Sequence, residues 1–182
     1  MKELSLNVLD IAENSVKAGA TLVTIHLIDD GEVLTMSIAD NGCGMKEEIL
    51  RGVIDPFYTT RTTRKVGLGI PLLKMAAEQT GGSFSIDSKH VSQYETDHGT
   101  VVKATFFKDH IDFTPLGDVI STVITLIQGS PDIDFEFLHQ IEDRKIFLDT
   151  KEMRQILGED IPLNQLEILR WIGDYLREQY EI

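Results

Sequence analysis

With 182 residues the chain is long enough to bury a real core, as one domain or one domain with a small addition. Hydrophobic residues make up 42% and charged residues 26%, and the polar start and absence of a long apolar run predict neither a signal peptide nor a membrane span. A formal charge of −13 argues against nucleic acid as a main partner, the single Cys43 excludes an internal disulfide, and a cytoplasmic protein is the simplest expectation.

Apolar Leu4, Val8, Leu9, Ile11, Ala12 and Val16 recur at helical period, predicting a helix over 3–18 that stops at Gly19. Asp10, Asn14 and Lys17 fall at i, i+4 and i+7 and form a polar stripe beside the apolar face. That stripe is either an exposed face or a carboxylate, an amide oxygen and an ammonium aimed at one ligand. The Asn14 amide oxygen suits a hard cation such as Mg²⁺.

Alternation over 21–28 predicts a strand, which Asp29-Asp30-Gly31 turns into a second strand over 32–39. Asp40-Asn41-Gly42-Cys43-Gly44-Met45 follows at that strand's carboxyl end. Asp-Asn-Gly is strong turn chemistry, so by itself this is a hairpin or Asx-turn as readily as a ligand loop. In the ligand reading the glycines let a ligand approach the main chain, and the Asp40 carboxylate accepts from an exocyclic amine such as that of adenine.

A short helix over 46–53 ends at Asp55-Pro56. Residues 56–70 then crowd Thr59, Thr60, Arg61, Thr62, Thr63, Arg64 and Lys65 ahead of Gly67-Leu68-Gly69-Ile70. A helix over 71–79 begins directly after, with Pro71 near its first turn, so free backbone amides and the positive end of the helix dipole would face an anion. Residues 83–88 read as a strand, 89–98 as a polar turn, and Gly99-Thr100 opens a strand over 101–107. The expected fold class is α+β, a two-layer sandwich with helices on one face of a mixed, mostly antiparallel sheet.

In their order along residues 1–108 these motifs resemble the GHKL superfamily, whose ATP-binding Bergerat fold serves histidine kinases, mismatch-repair ATPases, gyrase and heat-shock chaperones. The resemblance implies that Asn14 holds Mg²⁺, that Lys17 contacts phosphate, and that Asp40, Gly42, Gly44 and Met45 form the adenine loop. It implies further that Thr60 and Arg61 belong to the kinase-type box Pro-Phe-Tyr-Thr-Thr-Arg, and that Gly67, Leu68, Gly69 and Ile70 form the second glycine box. Thr100 is similar to the family's late adenine-supporting threonine. Asp10 stands where hydrolysing members carry a Glu base, one methylene longer.

Glu13-Asn-Ser-Val-Lys-Ala-Gly with Asp-Asn-Gly-Cys-Gly is similar to the mismatch-repair type, whereas Pro-Phe-Tyr-Thr-Thr-Arg and Gly-Leu-Gly-Ile are similar to the kinase type. About 70 residues after the motifs are too few for a large transducer domain, which favours the kinase-like branch. The first helix opens almost at Met1 and no histidine sits in a phosphoacceptor setting, so a protein phosphoacceptor is expected in another chain.

Residues 111–182 carry a net charge of −9 against −4 for 1–110, and read as a small acidic α+β appendage. Its expected elements are a helix from Pro115 to about Gln128, a hairpin of 135–140 and 145–148, a helix capped by Asp149 with Glu152 in its first turn, and a last helix capped by Asn164. The appendage packs on the first domain (1–110) or serves as a docking or dimer surface, with the oligomeric state open. The functional expectation is a Mg-dependent ATP-binding, histidine-kinase-like regulator that transfers phosphate in trans or hydrolyses ATP slowly. The alternative is an ATP-sensing switch that binds a protein partner through residues 111–182.

Overall fold

The computed structural model describes residues 2–54 and 68–181. Twelve elements follow one another among them: α1 (Leu4–Lys17), β1 (Leu22–Asp29), β2 (Val33–Asp40), α2 (Glu47–Ile54), α3 (Gly69–Gln79), β3 (Phe84–Lys89), β4 (Gly99–Phe107), α4 (Val119–Gly129), β5 (Asp134–Ile141), β6 (Arg144–Asp149), α5 (Thr150–Leu157) and α6 (Leu166–Glu181). The strands form one sheet in the order β3-β4-β2-β1-β5-β6, antiparallel throughout except for the β1–β5 pair.

Alternate strand residues define the inner face. Val23, Ile25 and Leu27 of β1, Leu34, Met36 and Ile38 of β2, Val102, Ala104 and Phe106 of β4, and Phe135 and Phe137 of β5 are buried in one apolar cluster with Leu4, Val8, Ile11 and Ala12 of α1. Because side chains alternate at period two, Asp40 and Thr100 project to the same side as Ile38 and Val102, toward the helices. That parity places the carboxylate inside the helical layer.

The C-terminal region packs on the first as part of its sheet. β5 runs parallel beside β1 from Leu22↔Asp134 to Asp29↔Ile141, and α4 supplies the crossover that a parallel pair needs. Period-two patterning predicts the β5–β6 hairpin correctly but carries no information about which strand edge it will join. The edge of β1 left free by β2 supplies that answer.

Three helix starts differ from expectation, α3 beginning at Gly69, two residues before Pro71. α4 begins at Val119, four residues after Pro115, because Asp118 caps it: Oδ1 accepts from Ser121 N at 2.9 Å and Oδ2 from Ser121 Oγ at 2.6 Å. Those bonds hold the Asp118 carboxyl below the ordinary aspartate range. Pro115 and Leu116 are occupied elsewhere, their carbonyls accepting from Leu4 N at 2.9 Å and Ser5 N at 2.8 Å, so they satisfy the open first turn of α1. α6 begins at Leu166, two residues beyond Asn164, and its first turn closes through Leu169 N onto Gln165 O.

Asp149 does cap α5, accepting from Lys151 N at 2.8 Å and Glu152 N at 3.3 Å. Asp149→Ala should therefore cost about 1 kcal/mol in urea unfolding.

Beyond the core a hydrogen bond between buried His139 and half-buried Tyr180 ties α6 to the sheet. His139 is 4% exposed, its Nδ1 lies 2.7 Å from the Tyr180 hydroxyl, and its Nε2 has no partner among the described residues. Burial holds the imidazole pKa down to about 4, against a smaller opposing pull from Asp29, and burial raises the Tyr180 hydroxyl. The folded state thus keeps His139 neutral, while the unfolded chain takes up a proton below its ordinary value of 6.5. Stability should fall as pH drops from about 6.5 toward 4, by up to about 3 kcal/mol from this residue, and level off below. Urea unfolding across that range checks it, with His139→Gln expected to flatten the slope.

Candidate functional site

The loop after β2 is built from the chain's own polar atoms. Asn41 Oδ1 accepts from Thr21 N and Leu22 N, and its amide donates to Thr21 Oγ1, so Asn41 clamps the loop to the start of β1. Cys43 N donates to Ala18 O at 2.9 Å and Val91 N to Cys43 O at 2.8 Å, tying the loop to the end of α1 and to the β3–β4 connection. Gly44 has φ +66°, and a Cβ there would lie 2.0 Å from Lys89 O. Only glycine satisfies both the left-handed backbone and that approach.

Asp40 is held at three points. Ser15 Oγ donates to its Oδ2 at 2.7 Å, while Gly42 N at 2.9 Å and Thr100 N at 3.3 Å donate to Oδ1. A carboxylate offers about four acceptor sites, so one on Oδ2 remains for a ligand. Thr100 is supported in turn: its hydroxyl lies 2.8 Å from Ser88 Oγ, which also accepts from Met45 N at 2.7 Å.

Asp40, Thr100 and Met45 line a cavity of about 170 Å³ between α1, the sheet, the end of α2 and the start of α3. Asp40, Ser15, Asn14 and Thr100 are the polar groups of its wall, and Ile11, Ile38, Met45, Val53, Ile70 and Val102 are the apolar ones. A mostly apolar slot with one oriented acceptor suits a flat heteroaromatic ring bearing an exocyclic amine.

At its open side Asn14 carries an amide that no hydrogen bond engages among the described residues. Asp10 sits one turn earlier against the start of α3: a Cβ built on Gly69 would lie 3.1 Å from Asp10 Cβ and 3.3 Å from its Oδ2. Among the described residues α3 has no side-chain cap at Leu68 and nothing accepts from the Gly69 and Ile70 amides, which can meet an anion.

The structure thus brings together Asp10, Asn14, Asp40, Gly42, Gly44, Met45, Gly69, Ile70 and Thr100. Lys17 is turned elsewhere, with its ammonium 3.8 Å from Glu13 Oε2 in a groove between α1 and α4. Leu68 is exposed at the start of α3. Thr60, Arg61 and Gly67 lie outside the described residues. Ser15, Ser88 and His98 have no counterpart in the sequence reading, although His98 Nδ1 contacts Gly42 O. Ser15 follows Asn14 and faces inward from α1, a position from which it could have been anticipated.

The fold is a two-layer α+β sandwich, and the chain belongs to the histidine kinase-, DNA gyrase B-, and HSP90-like ATPase family, whose model matches residues 1–110. Similar curated proteins come from both branches. Sporulation kinase E of Bacillus subtilis (strain 168) is 33% identical over 106 residues, covering 58% of this chain and 13% of that protein. The DNA mismatch repair protein MutL of Dictyoglomus turgidum is 30% identical over 149 residues, covering 79% and 24%. The chain therefore spans less than a quarter of either relative.

Among solved structures the Aquifex aeolicus MutL ATPase domain complexed with ADP superposes with a TM-score of 0.56 at 14% identity, over 86% of this chain and 69% of that one. The shared fold reaches past residue 110, so part of the C-terminal region takes part in it. No helix among the described residues is long and apolar enough to cross a membrane.

Proposed function

We propose that the chain binds Mg·ATP in this cavity and acts as a kinase-like regulator, transferring phosphate to a group on another chain or hydrolysing ATP slowly. The observation that carries the reading is Asp40: a carboxylate fixed by three donors, with one acceptor site left, facing an apolar slot. Adenine N6 would donate to that site. The triphosphate would extend toward Asn14 and the amides at the start of α3, where the dipole and free N–H groups stabilise negative charge.

Asn14 and Asp10 together present only hard oxygen donors, which fits a cation held by few protein groups. When bound, Mg²⁺ supplies neutralisation of the phosphate charge that builds up in transfer. Arg61 adds to that neutralisation in this proposal, and Lys17 could join only by leaving Glu13. Asp10 is the proton acceptor: as the bond from the γ-phosphorus to ADP breaks and one to a water or acceptor oxygen forms, that oxygen's proton passes to the carboxylate.

The test is the release or transfer of labelled phosphate. Hydrolysis or transfer to a candidate partner should exceed that of Asp10→Asn, and equal rates would remove Asp10 from the reaction. Mg·ATP at 100 times its Kd should add about 2.7 kcal/mol of stability and raise the melting temperature accordingly.

A second reading, an ATP-sensing switch with a protein partner on the C-terminal region, draws support from topology. β1 is hydrogen-bonded on one side to β2, which ends in Asp40, and on the other to β5. Partner affinity that is identical with and without ATP would reject it.

A further inference from the structure

Far along the sheet from the cavity, α5 packs on β5 and α6 on β6, and between the two helices runs an open groove of about 270 Å³. Its walls are almost wholly apolar: Met153, Ile156 and Leu157 from α5, Ile168 and Trp171 from α6. Ile156 is 83% exposed and Trp171 54% exposed, and Trp171 stacks on Tyr175 with ring centroids 5.2 Å apart. A contiguous exposed patch of this kind, centred on Trp and Tyr, marks a contact surface.

The charges around it select the occupant. Glu152, Glu159 and Asp160 stand on the α5 side, Glu167 and Glu178 on the α6 side, and none has an ion-pair partner among the described residues. Of the cations on these two helices, Arg154 binds Asp134 and the carbonyls of Pro131 and Ile133 and Arg177 binds Asp174, which leaves Lys151 and Arg170 against the five acids and the face net acidic. A second copy of this face would set acid against acid, and an anionic membrane would be repelled.

Strand addition at the neighbouring sheet edge is also closed. The Gln179 amide occupies the backbone of edge strand β6, accepting from Phe147 N at 2.8 Å and donating to Phe147 O at 3.1 Å. What fits a slot between two helices with acid along both rims is a third helix, apolar on one face and rich in Lys or Arg on its flanks. We propose that the α5–α6 groove docks a cationic amphipathic helix of a partner protein. This names the partner class for the regulatory reading above and rests on that reading for its purpose, while the groove itself makes no contact with the nucleotide cavity.

Trp171 is the chain's single tryptophan, so its emission reports directly on the groove. The full chain, without nucleotide, is titrated with a synthetic Leu/Lys helix carrying Leu at i, i+4 and i+7, and separately with the same peptide bearing Glu for Lys. The Lys peptide should give a saturable blue shift and the Glu peptide none. Ile156→Asp, at an exposed position that leaves the core alone, separates docking from general charge attraction. It adds a negative charge, so unspecific attraction would be kept or strengthened, whereas docking should weaken by about tenfold or more.

An equal response to the Glu peptide, or undiminished Lys-peptide binding by Ile156→Asp, overturns the proposal. Sedimentation equilibrium showing a dimer that Ile156→Asp dissolves overturns it in favour of a second copy. The Mg·ATP melting shift, measured on the same two proteins, reports only on the cavity, so failure of the groove and failure of the nucleotide reading are told apart.

Discussion

Asp40→Asn is expected to weaken ATP binding by about 1–3 kcal/mol while leaving the fold nearly as stable. The asymmetry follows from the donors around the carboxylate. Oδ1 accepts two backbone N–H groups, from Gly42 and Thr100, so the asparagine oxygen must take that place and its NH₂ the place of Oδ2. There it meets Ser15 Oγ, a hydroxyl able to accept from the amide while its own hydrogen goes to Ile11 O, 3.3 Å away. The protein therefore re-pairs internally. The ligand does not, because an exocyclic amine arriving at the cavity finds a donor where it needs an acceptor. Calorimetric titration of ATP into both proteins checks this, and equal affinities would remove Asp40 from base recognition.

The second large effect is expected from Gly99→Ala, a loss of about 3–5 kcal/mol of stability together with ATP binding. Gly99 has φ +140°, outside the range of residues with a side chain, and its added Cβ would fall 1.9 Å from the Asp40 carbonyl oxygen. Neither neighbour can yield cheaply: Asp40 pairs across to Thr100 in the β2–β4 ladder, and Gly99 O accepts from Ser88 Oγ. Relief of the clash would push β4 from β2 at the point where Thr100 N reaches the carboxylate. Urea unfolding reads the first loss and the Mg·ATP melting shift the second. Unaltered stability would mean that the β2–β4 ladder is looser there than its hydrogen bonds indicate.

Both effects depend on a residue whose place could be read in advance only in part. Asp40 and the two glycines at a strand's end are local properties that mark a loop, and the resemblance to the family's adenine loop marks that loop as a binding site. Gly99 stands in the sequence as no more than the start of a strand. Its role comes from the backbone of Asp40 crossing in front of it, a contact between residues far apart in sequence.

Apolar periodicity, glycine stops and the Asp149 cap were sufficient for the existence and type of the helices and strands but not for every helix start, because they depend only on the residues within a turn or two. Local chemistry marked the Asp10–Asn14 stripe and the Asp40 loop separately, and it was the resemblance to the GHKL superfamily that grouped them with Thr100 in one site. The tertiary structure decided which of them converge: strand parity turns Asp40 and Thr100 inward under α1, Ser15 joins them, and Lys17 goes to Glu13. It also decided that Pro115 and Leu116 complete the first turn of α1 instead of opening α4, and that the β5–β6 hairpin extends the sheet beside β1. Those outcomes rest on backbone groups of distant segments finding each other's unpaired donors and acceptors, and a backbone amide carries no mark in the sequence of which carbonyl it will meet.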